Sequence, residues 1–157
     1  LPWGRHTLEL HARGGLIDDT EVDDFFWWAL GSKPGLRGYS YFSKQGRKLA
    51  IAGATYRFPI LRRIDQRFLS LFLHRLYGGV FYEAGNTWND ESLEGLSSNR
   101  LIRDVGFELR LESTSFYVFP AAFYVEGAYG LDEIRDEEGR LRGGNEWRWY
   151  TGLLFGY

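Results

Sequence analysis

Glu146-Trp147-Arg148-Trp149-Tyr150-Thr151-Gly152-Leu153-Leu154-Phe155-Gly156-Tyr157 closes the chain. Successive side chains of an extended strand point to opposite faces. Trp147, Trp149, Thr151, Leu153, Phe155 and Tyr157 therefore share one side, and Arg148, Tyr150, Gly152, Leu154 and Gly156 share the other. A helix would spread the aromatic residues around its circumference. The segment reads as a strand with one bulky apolar face, ending on an aromatic residue.

The same period of two recurs upstream in five further stretches. The first covers about 6–13, with Leu8, Leu10 and Ala12 against Thr7, Glu9, His11 and Arg13, and Gly14-Gly15 is expected to end it. The second covers about 47–58, where Ala50, Ala52, Ala54, Tyr56 and Phe58 form the apolar row and Arg57 points the other way. The third covers about 68–85, with Phe72, His74, Leu76, Gly78, Val80 and Tyr82 on one row and Arg75, Tyr77 and Glu83 on the other. The fourth, about 103–112, alternates most cleanly: Val105, Phe107, Leu109 and Leu111 against Asp104, Glu108, Arg110 and Glu112. The fifth, about 116–129, is apolar on both rows apart from Glu126. Its Pro120, having no N–H, belongs at a bulge or an open ladder position.

The connections between these strands alternate in length: long over 16–46, shorter over 59–67, longer over 86–99, a tight turn at Ser113-Thr114-Ser115, and long again over 131–145. Long loops at one end and short turns at the other are the pattern of a transmembrane barrel. The alternation alone also fits a soluble two-sheet sandwich.

Composition bounds the rest. Aromatic residues make up 18% of the 157 residues, with six Trp, ten Tyr and twelve Phe, which suits interfacial girdles. No run of about 18 uncharged apolar residues is present, so no transmembrane helix is expected. A net charge of −2 gives no basic footprint for nucleic acid. The absence of cysteine excludes disulfides and thiolate metal sites. The chain starts at Leu1 with no leader segment and reads as the C-terminal piece of a longer precursor.

Three segments in order, Arg37-Gly38-Tyr39, Tyr82-Glu83-Ala84-Gly85-Asn86-Thr87-Trp88 and the terminal Gly152-x-x-Phe155-x-Tyr157, make the chain resemble the last six strands of the BamA-type outer-membrane barrel superfamily, the bacterial surface antigen family. The resemblance implies an all-β, antiparallel transmembrane barrel of sixteen strands, of which this chain supplies the final six. It implies that the long loop folds into the lumen, carrying the Arg-Gly-aromatic tip as a latch. Gly152, Phe155 and Tyr157 then resemble the C-terminal signal read by the assembly machinery.

Residue chemistry supports a specific pairing. Arg presents a planar, permanently charged fork suited to a carboxylate, Gly38 lets the backbone pass close to its neighbours, and Glu83 lies on the polar row. Arg37 is expected to pair with Glu83. Breaking one partner of such a buried pair costs about 3–5 kcal/mol. The family's second acid is expected on the preceding strand, where Arg57 stands instead; Arg57 either competes for Glu83 or pairs with Glu108. Arg75 and Arg110 are further candidate charge partners in the lumen.

Other chemistry is sparse. His6 and His11 are five apart and point to opposite faces, and His74 lies on an apolar row. The acids of 18–24 and 132–138 lack calcium-loop spacing. No nucleophile elbow, phosphate loop or zinc helix motif occurs, so neither catalysis nor a cofactor is expected. Phe25-Phe26-Trp27-Trp28 is expected to pack on the inner wall or plug the lumen.

The function implied by the resemblance is polypeptide insertion or translocation at the bacterial outer membrane. The implied partners are outer-membrane lipid, missing N-terminal barrel strands or a partner chain, the assembly machinery and client polypeptides. Two other readings stay open: a passive pore or structural outer-membrane barrel, and a soluble β-sandwich binding module.

Overall fold

The computed structural model describes residues 6–19, 21–33, 35–90, 95, 97, 100–115, 118–135 and 139–156. Among them the strands are β1 (Thr7–Leu16), β2 (Trp28–Leu30), β3 (Lys44–Gly46), β4 (Lys48–Leu61), β5 (Gln66–Phe68), β6 (Leu71–Trp88), β7 (Ile102–Ser115), β8 (Phe119–Gly130), β9 (Ile134–Arg135), β10 (Leu141–Gly143) and β11 (Trp147–Phe155). Asp24–Phe26 forms one 3-10 turn, with Asp23 accepting from the Phe25 N–H. No helix of the described residues is long and apolar enough to cross a membrane. Pro34, Phe116, Tyr117, residues 136–138 and Tyr157 lie outside the described residues.

The fold is all-β and antiparallel. A seven-stranded sheet runs β1-β4-β6-β7-β8-β11, and β5 pairs with the edge of β6 that β4 leaves. Its five long ladders are regular apart from shifts at Leu73/Arg75 and Pro59/Leu61. The second shift sits at a proline, which cannot donate to a ladder. Two-stranded ribbons β2/β3 and β9/β10 rise from the long connections. The long connections 17–47, 89–101 and 131–146 leave from one end of the sheet, and the shorter ones from the other.

Several boundaries differ from the sequence expectation, each for a local reason. Gly14-Gly15 does not end β1; it pairs with Leu49 and Ala50, and a Cβ at Gly15 would lie 2.4 Å from the Trp28 ring that packs there. Phe68 belongs to the β5 hairpin, whose turn holds Leu69 at φ 54. Ser113-Thr114-Ser115 is not a turn but the end of β7, in register with Ala121, Pro120 and Phe119. The Ser113 hydroxyl donates to the Ala121 carbonyl at 3.1 Å, and Thr114 meets His74 at 2.6 Å, so neighbouring strands satisfy these side chains without a reversal. Pro120 stands one residue past the last β8/β11 pair, where its carbonyl accepts from the Gly156 N–H at 3.0 Å. β6 runs on to Trp88 because the Asn86 amide is held on both sides, accepting from Lys44 at 2.6 Å and donating to Gly95 O at 2.8 Å.

The two faces of the sheet have opposite characters. On one face the loop 17–47 covers the central part of the polar rows: Glu83 is 3% exposed and Asp104 is 0%. On the other, the apolar rows are open, with Val80 at 50% and Trp149 at 60%. The apolar core is small and lies under the loop, where Leu30, Leu36 and Tyr39 pack against Leu49, Ile51, Ile102 and Ile134, with Trp28 against them. Each fully buried aliphatic side chain there contributes about 1.5–3 kcal/mol, so the cluster pins the loop to the sheet. Trp28 thus packs on the covered face as expected, whereas Phe25 and Phe26 are exposed and touch each other edge-on at 5.4 Å. A 3-10 turn bridging solvent gives those two rings no wall to lie on.

Candidate functional site

The site is the seat of the Arg37 loop on the covered face. Short-range bonds shape the loop tip. Ser32 N–H donates to Tyr39 O at 2.9 Å, Gly35 N–H to Ser32 O at 2.7 Å, and Tyr39 N–H to Leu36 O at 3.2 Å. Leu36 and Tyr39, both fully buried, anchor this tight segment and aim Arg37 along the sheet.

Glu83 receives Arg37 from several directions. Its carboxylate accepts from Arg37 Nε at 3.0 Å and from the Arg37 backbone N–H at 3.2 Å, and Nη2 lies 2.8 Å away. Nη2 also donates to Thr55 Oγ1 at 3.4 Å, and Nη1 lies 3.6 Å from Glu126. The guanidinium carbon stands 3.5 Å from the centroid of the Phe81 ring, a cation–π contact. The Arg37 carbonyl accepts from the Tyr150 hydroxyl at 2.7 Å, which ties the tip to β11. A Lys here would lose the fork that makes these contacts together.

Gly38 fills the tightest position. Its N–H donates to Asp104 Oδ2 at 2.6 Å, and an added Cβ would fall 2.7 Å from Gly130 N and 2.8 Å from Tyr129 C. Both neighbours are backbone and cannot turn aside. The Tyr39 hydroxyl lies 2.8 Å from Arg103 O and 2.9 Å from Asp132 O, donating to one of them, and it accepts from the Asp132 N–H at 2.9 Å. Burial pushes its pKa up to about 12, so it stays a neutral donor. Asp132 is held below the usual carboxylate range by Arg103, whose side chain donates to it at 2.7 and 3.0 Å. Lys44 is pushed down, first by burial and then by Arg100.

The wall has two windows where side chains meet across an intervening strand. His11, Gly53 and Glu83 are register partners on β1, β4 and β6; the missing Cβ of Gly53 leaves His11 Nε2 3.6 Å from Glu83 Oε1. In the same way Arg57 and Glu108 pair across Gly79, and Arg57 also pairs with Glu9. Arg57 therefore takes Glu108 and not Glu83. It stands four residues along β4 from Gly53, about 13 Å at a strand's rise.

The second acid at the tip lies on the strand after Glu83, not the one before. It is Asp104, directly opposite Glu83 in the β6/β7 register. Asp104, Glu126, Lys33, Thr55, Phe81, Tyr150 and His11 are the site residues that sequence reasoning missed. Two carried a signal: Asp104 belongs to the cleanest polar row, and Glu126 is the lone acid of an apolar strand. Arg75 lies away from the seat, toward the short connections, 3.8 Å from Glu112. Arg110 lines a cavity of about 230 Å³ with Lys33, Glu108, Tyr124 and Glu126. Gly152 faces Tyr124 across the β8/β11 ladder, and Phe155, on the open face, is exposed. Among the described residues no group of three or more His, Cys, Asp or Glu side chains is placed to hold a metal ion.

Chemically this is an anchoring site: a cation, a glycine amide and a tyrosine hydroxyl from one loop meet carboxylates and a carbonyl of three strands, β6, β7 and β8, and the Asp132 carbonyl. No family model, curated protein or solved structure matches the chain.

Proposed function

We propose that the chain is the closing arc of an outer-membrane β-barrel of the polypeptide insertase or translocase type, with the Arg37 loop latched in its lumen. The observation that carries this reading is the inverted burial of the sheet. The charged residues at its centre, Glu83, Asp104, Glu108 and Glu126, are covered, and its apolar rows, including Val80, Tyr82, Val105, Leu109, Val125 and Trp149, are open. A soluble sandwich reverses this, packing the apolar rows of two sheets against each other. Open apolar rows suit hydrocarbon, and the covered polar rows suit a lumen.

Closure is the second support. β1 and β11 are the ends of the sheet path, with no partner on their outer sides among the described residues. In lipid every backbone polar group needs a partner, so an open sheet cannot span a membrane. Further strands, from the same precursor or a partner chain, pair with both edges in this reading. The latch favours the insertase or translocase type over a passive pore, because a pore has no need of a loop fastened through Arg37, Gly38 and Tyr39 separately. The reading involves no catalytic step and no cofactor.

Cysteine labelling tests it, since the chain has no cysteine of its own. In the intact protein in membranes, Val80→Cys, Val105→Cys and Val125→Cys should react with a lipid-embedded maleimide and resist a water-soluble one. A protein that stays monomeric without detergent, with all three positions labelled from water, contradicts the reading.

A further inference from the structure

Lys33 lies on the same loop as Arg37 but meets the sheet elsewhere. Its ammonium stands 2.7 Å from Glu126 Oε2, 4.7 Å from the centroid of the Tyr124 ring and 5.5 Å from that of Tyr150. Tyr124 and Glu126 share a face of β8, and Tyr150 is the register partner of Glu126 on β11. Two ring faces and a carboxylate from adjacent strands thus surround one ammonium. Rings within about 6 Å attract a cation through their quadrupole, the chemistry by which aromatic cages bind alkylammonium groups.

The occupant fits loosely. Glu126 is 6% exposed, and its Oε2 is reached by Lys33 Nζ at 2.7 Å and by Arg37 Nη1 at 3.6 Å. The Lys33 side chain itself remains 39% exposed. Beside it the cavity of about 230 Å³ has room for a second short alkyl chain. Of the neighbouring cations, Arg57 pairs with Glu108 and Glu9, Arg37 pairs with Glu83 and reaches Glu126 only at 3.6 Å, and Arg110 lines the same cavity. A buried carboxylate beside two rings and open space, with an occupant that stays 39% exposed, is a receptor that a second ammonium can reach.

We propose that Tyr124, Glu126 and Tyr150 form a binding site for a primary alkylammonium group, that Lys33 fills it as a tethered stand-in, and that a lysine side chain of another polypeptide takes the site when Lys33 leaves. The site stands on these contacts alone; only the polypeptide as the source of the lysine rests on the translocase reading. A free polyamine offers the same head group.

The test is calorimetric titration of the intact protein in detergent with Nα-acetyl-lysine methylamide, against the norleucine analogue at matched ionic strength. Removing a tethered competitor raises apparent affinity, so Lys33→Ala should bind the lysine amide at least tenfold more tightly than the unmodified protein. Adding Glu126→Gln should reverse at least tenfold of that. In the unmodified protein, the lysine amide should speed amide hydrogen exchange at 31–33, a readout independent of any variant's folding. Equal affinities with and without Lys33, equal binding of the norleucine analogue, or no loss with Glu126→Gln would each overturn the site. Spermidine binding more tightly than the lysine amide overturns the polypeptide as source. Loss of ammonium binding with lipid labelling of Val105→Cys intact sinks this site alone and leaves the barrel reading standing.

Discussion

Replacing Arg37 with Ala should loosen the loop, and the size of the effect follows from what is left behind. Glu83 keeps its burial but loses the Nε and Nη2 donors. What remains are the backbone N–H of residue 37 at 3.2 Å and His11 at 3.6 Å. Stranding a buried carboxylate costs about 3–5 kcal/mol. The surviving N–H contact places the expected value toward the lower end of that range. At 1.36 kcal/mol per tenfold, about 3 kcal/mol raises the open population of the loop on the order of a hundredfold. The assay is amide hydrogen exchange across 31–40 in the intact protein in membranes, with limited proteolysis of 17–47 beside it. The double variant Arg37→Ala/Glu83→Gln separates charge from packing. A neutral amide is far cheaper to leave buried than a carboxylate, so the double variant should recover part of the protection. Unchanged exchange in Arg37→Ala would refute the pairing as the fastening of the loop. A double variant as loose as the single one would assign the loss to packing on Phe81 instead of to charge.

Three further outcomes are expected. Gly38→Ala should speed loop proteolysis although it adds only a methyl group, because the new Cβ meets backbone at 2.7 Å; wild-type protection would mean that the tip has room to shift. The Asp132–Arg103 pair should make the order of 131–145 depend on acid. The folded pKa of Asp132 is depressed, so its stabilisation is present above its unfolded pKa and fades as pH falls through the folded one. Exchange measured at matched intrinsic rates should then rise only at strongly acidic pH, and a rise beginning near neutrality would implicate another group. Phe155→Ala or loss of Tyr157 should impair membrane assembly in cells, and full assembly of either variant would remove the terminal residues from recognition.

Alternation made the six long strands legible, since a period of two survives wherever one face is apolar. What it could not show was where strands end. Serines and threonines at 113–115 look like turn residues until Ala121 O and His74 are seen to take their hydroxyls. Gly14-Gly15 looks like a terminator until Trp28 folds back onto it from the connection that follows β1. The seat was legible in Arg37 and Glu83 through the two motifs that carry the resemblance, and residue chemistry then suited them to each other. Its second acid was not, because choosing between strands for Asp104 needs the register that sets it opposite Glu83. The windows at Gly53 and Gly79 were invisible for the same reason: a glycine's use there is defined by side chains two strands apart.

The charge distribution explains why this loop lies on this face. Among the described residues the buried acids of the sheet are Glu83, Asp104, Glu108 and Glu126, and the buried base is Arg37, which the loop supplies. Lys33, the loop's other contribution, goes to Glu126. Arg57 is the wall's own answer to Glu108. Without the loop, Glu83 would face Asp104, and Glu126 would face Glu108, with little compensation beyond Arg57. Like charges at strand-pair spacing repel. The apolar cluster of Leu30, Leu36 and Tyr39 lies nearer the long connections, beside Leu49, Ile51 and Ile102, while the charged contacts reach further along the strands to Thr55 and Glu126. The loop is therefore fastened twice at the same tip, by apolar burial of Leu36 and Tyr39 and by counter-charge at Arg37. Hydrophobic burial is non-directional and alone would allow the tip several positions. Directional, charge-assisted bonds from Arg37 and Gly38 select one of them.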